Sequence, residues 1–137
     1  MPSPKVAVVV PVHGRLATTL RFIEAFRRVQ YDAYRIVIVD DASPDGTADV
    51  LARDHRDVTV LHGDGDLWWT GATNLGVHWA LDHGFDYVLT INNDTMQKPD
   101  FLSQLVETAE RCAPCIVGSR IHYLDPPDRV WAVGART

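Results

Sequence analysis

The chain has 137 residues, 46% hydrophobic and 23% charged, with a formal net charge of −5; that is the size and composition of one globular domain, and it excludes a disordered tail, a collagen-like repeat and a coiled coil. No cluster of Lys or Arg forms a patch, so nucleic acid is not an expected partner, because phosphate neutralisation supplies most of that affinity. The longest apolar run, Val6–Val12, is far shorter than the roughly 20 residues that cross a bilayer, and the first five residues lack signal-peptide features. The expectation is a soluble, cytoplasmic protein with a single domain over residues 1–137.

Val6-Ala7-Val8-Val9-Val10 is a β-branched run closed by Pro11 and predicts a strand buried on both faces. Leu16, Leu20, Ile23 and Phe26 follow at helical spacing. Arg35–Val39 is a second buried strand, ended by Asp40-Asp41; Asp45-Gly46-Thr47 is turn and cap chemistry before a short helix with Ala48, Leu51 and Ala52. Val58–Leu61 predicts a third strand. Thr70 can cap a helix whose inner face is Ala72, Leu75, Gly76, Trp79 and Ala80, stopped by Gly84. Tyr87–Ile91 predicts a fourth strand, and Pro99 opens a helix with Phe101, Leu105, Ala109 and Cys112 as its apolar face. Ile116–Gly118 and Val130–Ala132 read as two more strands. Strand and helix alternate, which means right-handed crossovers and a mostly parallel sheet covered on both faces, a Rossmann-like α/β domain. The Cys112-Ala113-Pro114-Cys115 pair has no partner to complete a zinc site and reads as two reduced, packed cysteines.

Ligands of such sheets bind beyond the carboxyl ends of the strands, near the switch in strand order. The informative segments are therefore Pro11–Arg15, Asp40–Ser43, Gly63–Gly71 and Asn92–Thr95. No G-x-G-x-x-G, P-loop or G-x-S-x-G pattern is present, which excludes a dinucleotide redox enzyme, a P-loop NTPase and an α/β-hydrolase. Asp41 admits two readings, an acceptor for the N3–H of a pyrimidine base or a residue folding the turn, with Asp40 capping or turning the chain. Asp94 also admits two, a carboxylate for a hard divalent cation or a strand-ending turn residue, with Asn93 beside it placed for a ribose. Trp68-Trp69-Thr70-Gly71 leads into a helix start that can attract phosphate, while at least one of Trp68 and Trp69 is expected to pack in the core. His13 and Arg15 lie in the first crevice loop; His78 falls on the outer helix face.

In combination, Val6–Arg15, Val37–Thr47, Gly71-Ala72-Thr73-Asn74-Leu75-Gly76 and Asn92–Thr95 resemble, in order and in register, the family 2 glycosyltransferases of GT-A fold. The resemblance implies inverting transfer of a sugar from a nucleotide-diphosphate donor to a glycan or lipid-linked acceptor, with Mg²⁺ or Mn²⁺, and a place in cell-wall or polysaccharide synthesis that is compatible with a membrane-peripheral enzyme. It implies that Pro11, Val12 and His13 lie beside the base, that Asp41 bonds the base, that Asn93 sits near the ribose and that Asp94 binds the metal; Arg15, Trp69, Gly71 and Asn74, in the crevice loops and the Gly71–Gly76 motif, complete the expected substrate-binding set. Asn93 stands where the family often has a second aspartate, and Thr73 where many members carry arginine. The Trp-Trp-Thr-Gly-Ala-x-Asn variant is similar to a subgroup with rhamnosyltransferases. The resemblance stops near Gly134, ahead of the acceptor half and its general base; Asp125 and Asp128 lie in what reads as a surface turn. The chain is therefore expected to carry the donor-binding portion, the alternatives being a sugar-nucleotide nucleotidyltransferase or an inactive nucleotide-binding module.

Overall fold

The computed structural model describes residues 2–133; Gly134, where the resemblance ends, lies outside them. Four parallel strands form the central sheet: β1 (Val6–Val12), β2 (Tyr34–Asp40), β3 (Thr59–His62) and β4 (Tyr87–Thr90), in the order β3-β2-β1-β4. The helices between and after them are α1 (Leu16–Phe26), α2 (Thr47–Asp54), α3 (Trp68–Asp82) and α4 (Phe101–Cys112). A separate antiparallel hairpin pairs β5 (Arg120–His122) with β6 (Val130–Val133).

The β-branched run of β1 forms the centre because a strand hydrogen-bonded on both edges and covered on both faces has no place for a polar side chain. Val6 aligns with Tyr34 of β2 on one edge and with Tyr87 of β4 on the other. Its alternation divides two cores. Val6, Val8 and Val10 pack with Phe22, Ile23 and Phe26 of α1, Leu51 of α2 and Leu102 and Val106 of α4. Ala7 and Val9 face the other way, against Ala72 and Ala80 of α3. Small residues let α3 approach closely: a Cβ on Gly76 would stand 2.3 Å from Cγ1 of Val9.

The sheet, its three crossover helices α1–α3 and the helix α4 after β4 follow the expected chain order. Several local expectations do not hold. Ile116–Gly118 is not a strand, and Ile116 is fully exposed; β5 begins at Arg120 instead. The cysteines are free but exposed, not packed. The reason is that α4 buries Leu102 and Val106, four residues apart, so Cys112 turns away from the core. The third helix begins at Trp68 rather than after a Thr70 cap, for a reason found in the loop that precedes it. Both tryptophans expected to include a core residue are exposed, Trp68 by 77% and Trp69 by 56%.

Candidate functional site

The order of strands turns at β1, which lies between β2 and β4, so the carboxyl ends of these strands meet at a switch point. The loops at that end are tied together by side chains. Ser43 Oγ accepts the amide of Gly14 at 2.6 Å, and Asp45 Oδ2 accepts that of Leu16 at 2.9 Å, so the β2–α2 loop fixes the β1–α1 loop. His13 Nδ1 donates to the carbonyl of Asp41 at 2.6 Å. A carbonyl only accepts, so that nitrogen carries the proton and a neutral ring keeps Nε2 as an acceptor.

The two aspartates divide their work. Asp40 Oδ1 accepts the Ser43 amide at 3.1 Å and turns the chain, as expected of it. Asp41 reaches further. Its carboxylate is buried, 5% exposed, and such a group needs strong partners. It finds them across the site: Oδ1 accepts the amide of Gly65 at 2.8 Å, and Oδ2 those of Leu67 at 3.1 Å and Trp68 at 3.0 Å. This ring of bonds starts α3 in place of a Thr70 cap, and it holds Trp68 in the left-handed region, φ 55°, a conformation a bulky residue rarely adopts. Gly63 lets the loop close over the carboxylate, since a Cβ there would meet Asp41 Oδ1 at 2.4 Å.

At the end of β4, Asn92 Oδ1 accepts Trp69 Nε1–H at 2.9 Å, and Asn93 Nδ2 donates to the buried Thr19 hydroxyl of α1 at 3.0 Å. The turn there is closed by the Thr95 hydroxyl, which donates to the Asn92 carbonyl at 2.8 Å. Asp94 takes no part in it. Its carboxylate is exposed and enters no ion pair among the described residues.

These loops surround a cavity of about 310 Å³ lined by Pro11, Val12, His13, Asp41, Gly65, Trp68, Trp69 and Ala72. The structure thus brings together Pro11, Val12, His13, Asp41 and Trp69 from the expected set. Arg15, Gly71, Asn74, Asn93 and Asp94 are not among the lining residues; Arg15 is the left-handed residue before α1, φ 61°, and Asn74 is exposed on α3. Gly65, Trp68 and Ala72 join the cavity from segments already named for the crevice, though not as site residues. The signal for Trp68 was available, a large aromatic next to a helix start at a strand end. His78 is exposed on α3 as expected, and Asp125 and Asp128 lie exposed in the turn between β5 and β6.

Among the described residues, no group of three or more His, Cys, Asp or Glu side chains could hold a metal ion. The donor set therefore offers no protein-only cage. Asp94, at the end of β4, is a carboxylate with no internal partner among the described residues, and a hard cation held there would take its remaining ligands from phosphate oxygens and water.

Asp45 also gives this end of the molecule a pH dependence. The Thr47 hydroxyl, at 2.6 Å, and the Leu16 amide hold its carboxyl below the ordinary value of 3.8. A carboxyl depressed by folding stabilises above its unfolded value and loses that contribution as pH falls through the folded value. Acid titration should therefore release the β1–α1 loop below about pH 4. In Asp45→Asn that acid step should disappear from the amide signals of Leu16 and Thr47 in an NMR titration; its persistence would refute the assignment.

A crevice with an aromatic wall at the carboxyl ends of a parallel sheet is where α/β domains of this kind place their ligands. The profile described as Glycosyl transferase family 2 matches residues 7–135, and the chain belongs to that family. It is 39% identical over 88 residues to the undecaprenyl-phosphate mannosyltransferase of Micrococcus luteus, covering 62% of this chain and 36% of the relative. It is 29% identical over 123 residues to the polyprenol monophosphomannose synthase of Mycolicibacterium smegmatis, covering 87% and 46%. Its fold is shared with the mannosyltransferase PcManGT from Pyrobaculum calidifontis in complex with GDP-Man and Mn²⁺, at a TM-score of 0.68 and 22% identity over 92% of this chain and 38% of that one. The S. aureus protein TarS (residues 1–349) superposes with a TM-score of 0.67 at 17% identity, over 78% and 32%. The chain spans less than half the length of each. Its architecture is the GT-A glycosyltransferase fold, and membership of family 2 sets aside the nucleotidyltransferase alternative. Among the described residues, no helix is long and apolar enough to cross a membrane.

Proposed function

We propose that this chain is the donor-binding part of an inverting, metal-dependent glycosyltransferase, a single domain that receives a nucleotide-diphosphate sugar for transfer to a lipid-linked or glycan acceptor. The observation that carries the reading is the pairing of the walled cavity at the ends of β1 and β2 with the unspent Asp94 carboxylate at the end of β4. A planar base fits between the Pro11–His13 segment and the tryptophans, with the diphosphate running toward β4. Asp94 would hold Mg²⁺ or Mn²⁺ there, and Asn93, through its free Oδ1, the ribose. When bound, the metal supplies charge neutralisation for the diphosphate and its departure as leaving group. The chain's own share is to bind and orient. Arg15 and Asn74 would serve the rest of the donor.

The relatives quoted above are named for mannose, and a lipid phosphate appears in the name of the first. We take mannose as the first donor sugar to test, ahead of the rhamnose suggested by the Trp-Trp motif, and a polyprenyl phosphate as the first acceptor. Calorimetric titration with GDP, UDP, GDP-mannose and dTDP-rhamnose, each with and without Mn²⁺, is the deciding measurement. Binding of at least one nucleotide diphosphate that tightens with Mn²⁺ is expected. Absence of binding to every member of the panel would overturn the reading.

A further inference from the structure

The segment 113–119 joins α4 to the β5–β6 hairpin, has no regular structure and is largely exposed. The hairpin itself pairs with no strand of the central sheet. A thiol stands on each side of Ala113-Pro114 at the root of this segment: Cys112 is the last residue of α4, and Cys115 follows three residues later. Both are free and exposed, although cysteine is among the side chains most often buried. They are also the only cysteines of the chain, so neither has another intramolecular partner. Two features bring them together. In a helix each Cα–Cβ bond tilts toward the N-terminus, so the Cys112 side chain lies over the turn that contains Ala109. The Cys115 thiol folds back to that same turn and donates to the Ala109 carbonyl at 3.8 Å. Both side chains thus converge on the last turn of α4, with solvent access to each.

We propose that Cys112 and Cys115 form a reversible dithiol–disulfide site, closed by exchange with a low-molecular-weight disulfide such as oxidised glutathione, and that the bridge fixes the direction in which 113–119 leaves α4. In the first step the thiolate of one cysteine attacks a sulfur of the reagent. A new S–S bond forms, the reagent's own S–S bond breaks, and one thiolate departs. In the second step the other cysteine attacks the protein-bound sulfur and expels the second thiolate. The protein gives up two electrons and two protons, and the reagent leaves as two thiols. The second attack is intramolecular, which favours the bridge over a lasting mixed disulfide. The site lies at the far end of the sheet from the crevice, since Tyr87, the first residue of β4, donates to Glu110, two residues before Cys112. It therefore stands independently of the nucleotide reading.

The test holds the intact chain at about pH 8, where an ordinary thiol is partly ionised, in mixtures of reduced and oxidised glutathione. Free thiols are then trapped with iodoacetamide and the peptides mapped by mass spectrometry. The expected product is lighter by about 2 Da, with Cys112 joined to Cys115 and neither alkylated, and dithiothreitol should restore both thiols. The folded chain should close at a level of oxidised glutathione about tenfold lower than the same chain unfolded in urea, where spacing alone brings the thiols together. Cys112→Ser and Cys115→Ser each remove the resolving thiol, so a glutathione adduct should accumulate on the cysteine that remains. Hydrogen exchange at 113–119 should slow on oxidation. Lasting glutathione adducts on both thiols of the unaltered chain, disulfides between chains, or a bridge that forms no more readily in the folded chain than in urea overturns the proposal. A bridge that leaves exchange at 113–119 unchanged overturns its hold on the segment.

Discussion

Asp94→Asn should abolish the Mn²⁺ enhancement of nucleotide binding and leave metal-free binding nearly unchanged. The charge is the point of the substitution. Asn92 and Asn93 are already engaged with Trp69 and Thr19, and the β4 turn is closed by Thr95, so replacing the Asp94 carboxylate removes no internal bond. With no cluster of three ionisable metal ligands among the described residues, a cation would bind well only when diphosphate oxygens complete its shell. Titrations with and without Mn²⁺ on the variant and the unaltered chain decide the matter: a Mn²⁺ enhancement that survives the substitution rules Asp94 out as the ligand. In a full-length relative, losing about 3 kcal/mol of leaving-group stabilisation at the matching position would slow transfer by roughly 10²-fold.

The largest effect on stability is expected from Gly76→Ala. In an exposed helix this change is favourable by about 1 kcal/mol. Here the new methyl would meet Val9 Cγ1 at 2.3 Å and Val39 Cγ2 at 3.1 Å, and both valines are fully buried in the sheet. Neither can step aside without moving the sheet. Overpacking of this kind costs about 1–3 kcal/mol and occasionally more, so it outweighs the helix gain. A net loss of about 1 kcal/mol should lower Tm by roughly 3–6 °C. Gly118→Ala, where nothing lies within 4 Å of the added Cβ, serves as the control. A Gly76→Ala melting point equal to that of the control would mean that α3 has room to shift.

The parts of this protein that were legible in the sequence are those governed by local pattern. A β-branched run such as Val6–Val10 has few alternatives to a buried strand, and four such segments with helical spacing between them define the sheet. The residues just past the strands could likewise be named from topology, which is why Pro11, Val12, His13 and Asp41 meet in one cavity. What could not be read depends on contacts between distant segments. The start of α3 is set by a carboxylate in another loop, and no local cap signal near Thr70 competes with three amide bonds to Asp41. That same clamp keeps Trp68 at the surface, against the burial its size predicts. At the end of β4 the sequence set Asp94, a metal carboxylate or a turn residue, apart from Asn93, placed for a ribose; that Asn92 and Asn93 are held by Trp69 and Thr19 while Asp94 has no partner depends on distant contacts. The exposure of Cys112 followed from a rotation of α4 about its axis, which a short apolar pattern does not define.

The position of β1 in the middle of the sheet has a consequence for assembly. One of its edges is satisfied by β2, the next strand in the chain, but the other must wait for β4, which arrives only after β2, β3 and three helices have been made. Closing so long a segment costs entropy before the pairing compensates for it. During synthesis, the most apolar strand of the molecule therefore spends its early life with a bare edge, the state in which nascent chains are most prone to pair with one another. The interval between the emergence of Val12 and that of Thr90 is the period in which this domain depends on chaperones or on speed.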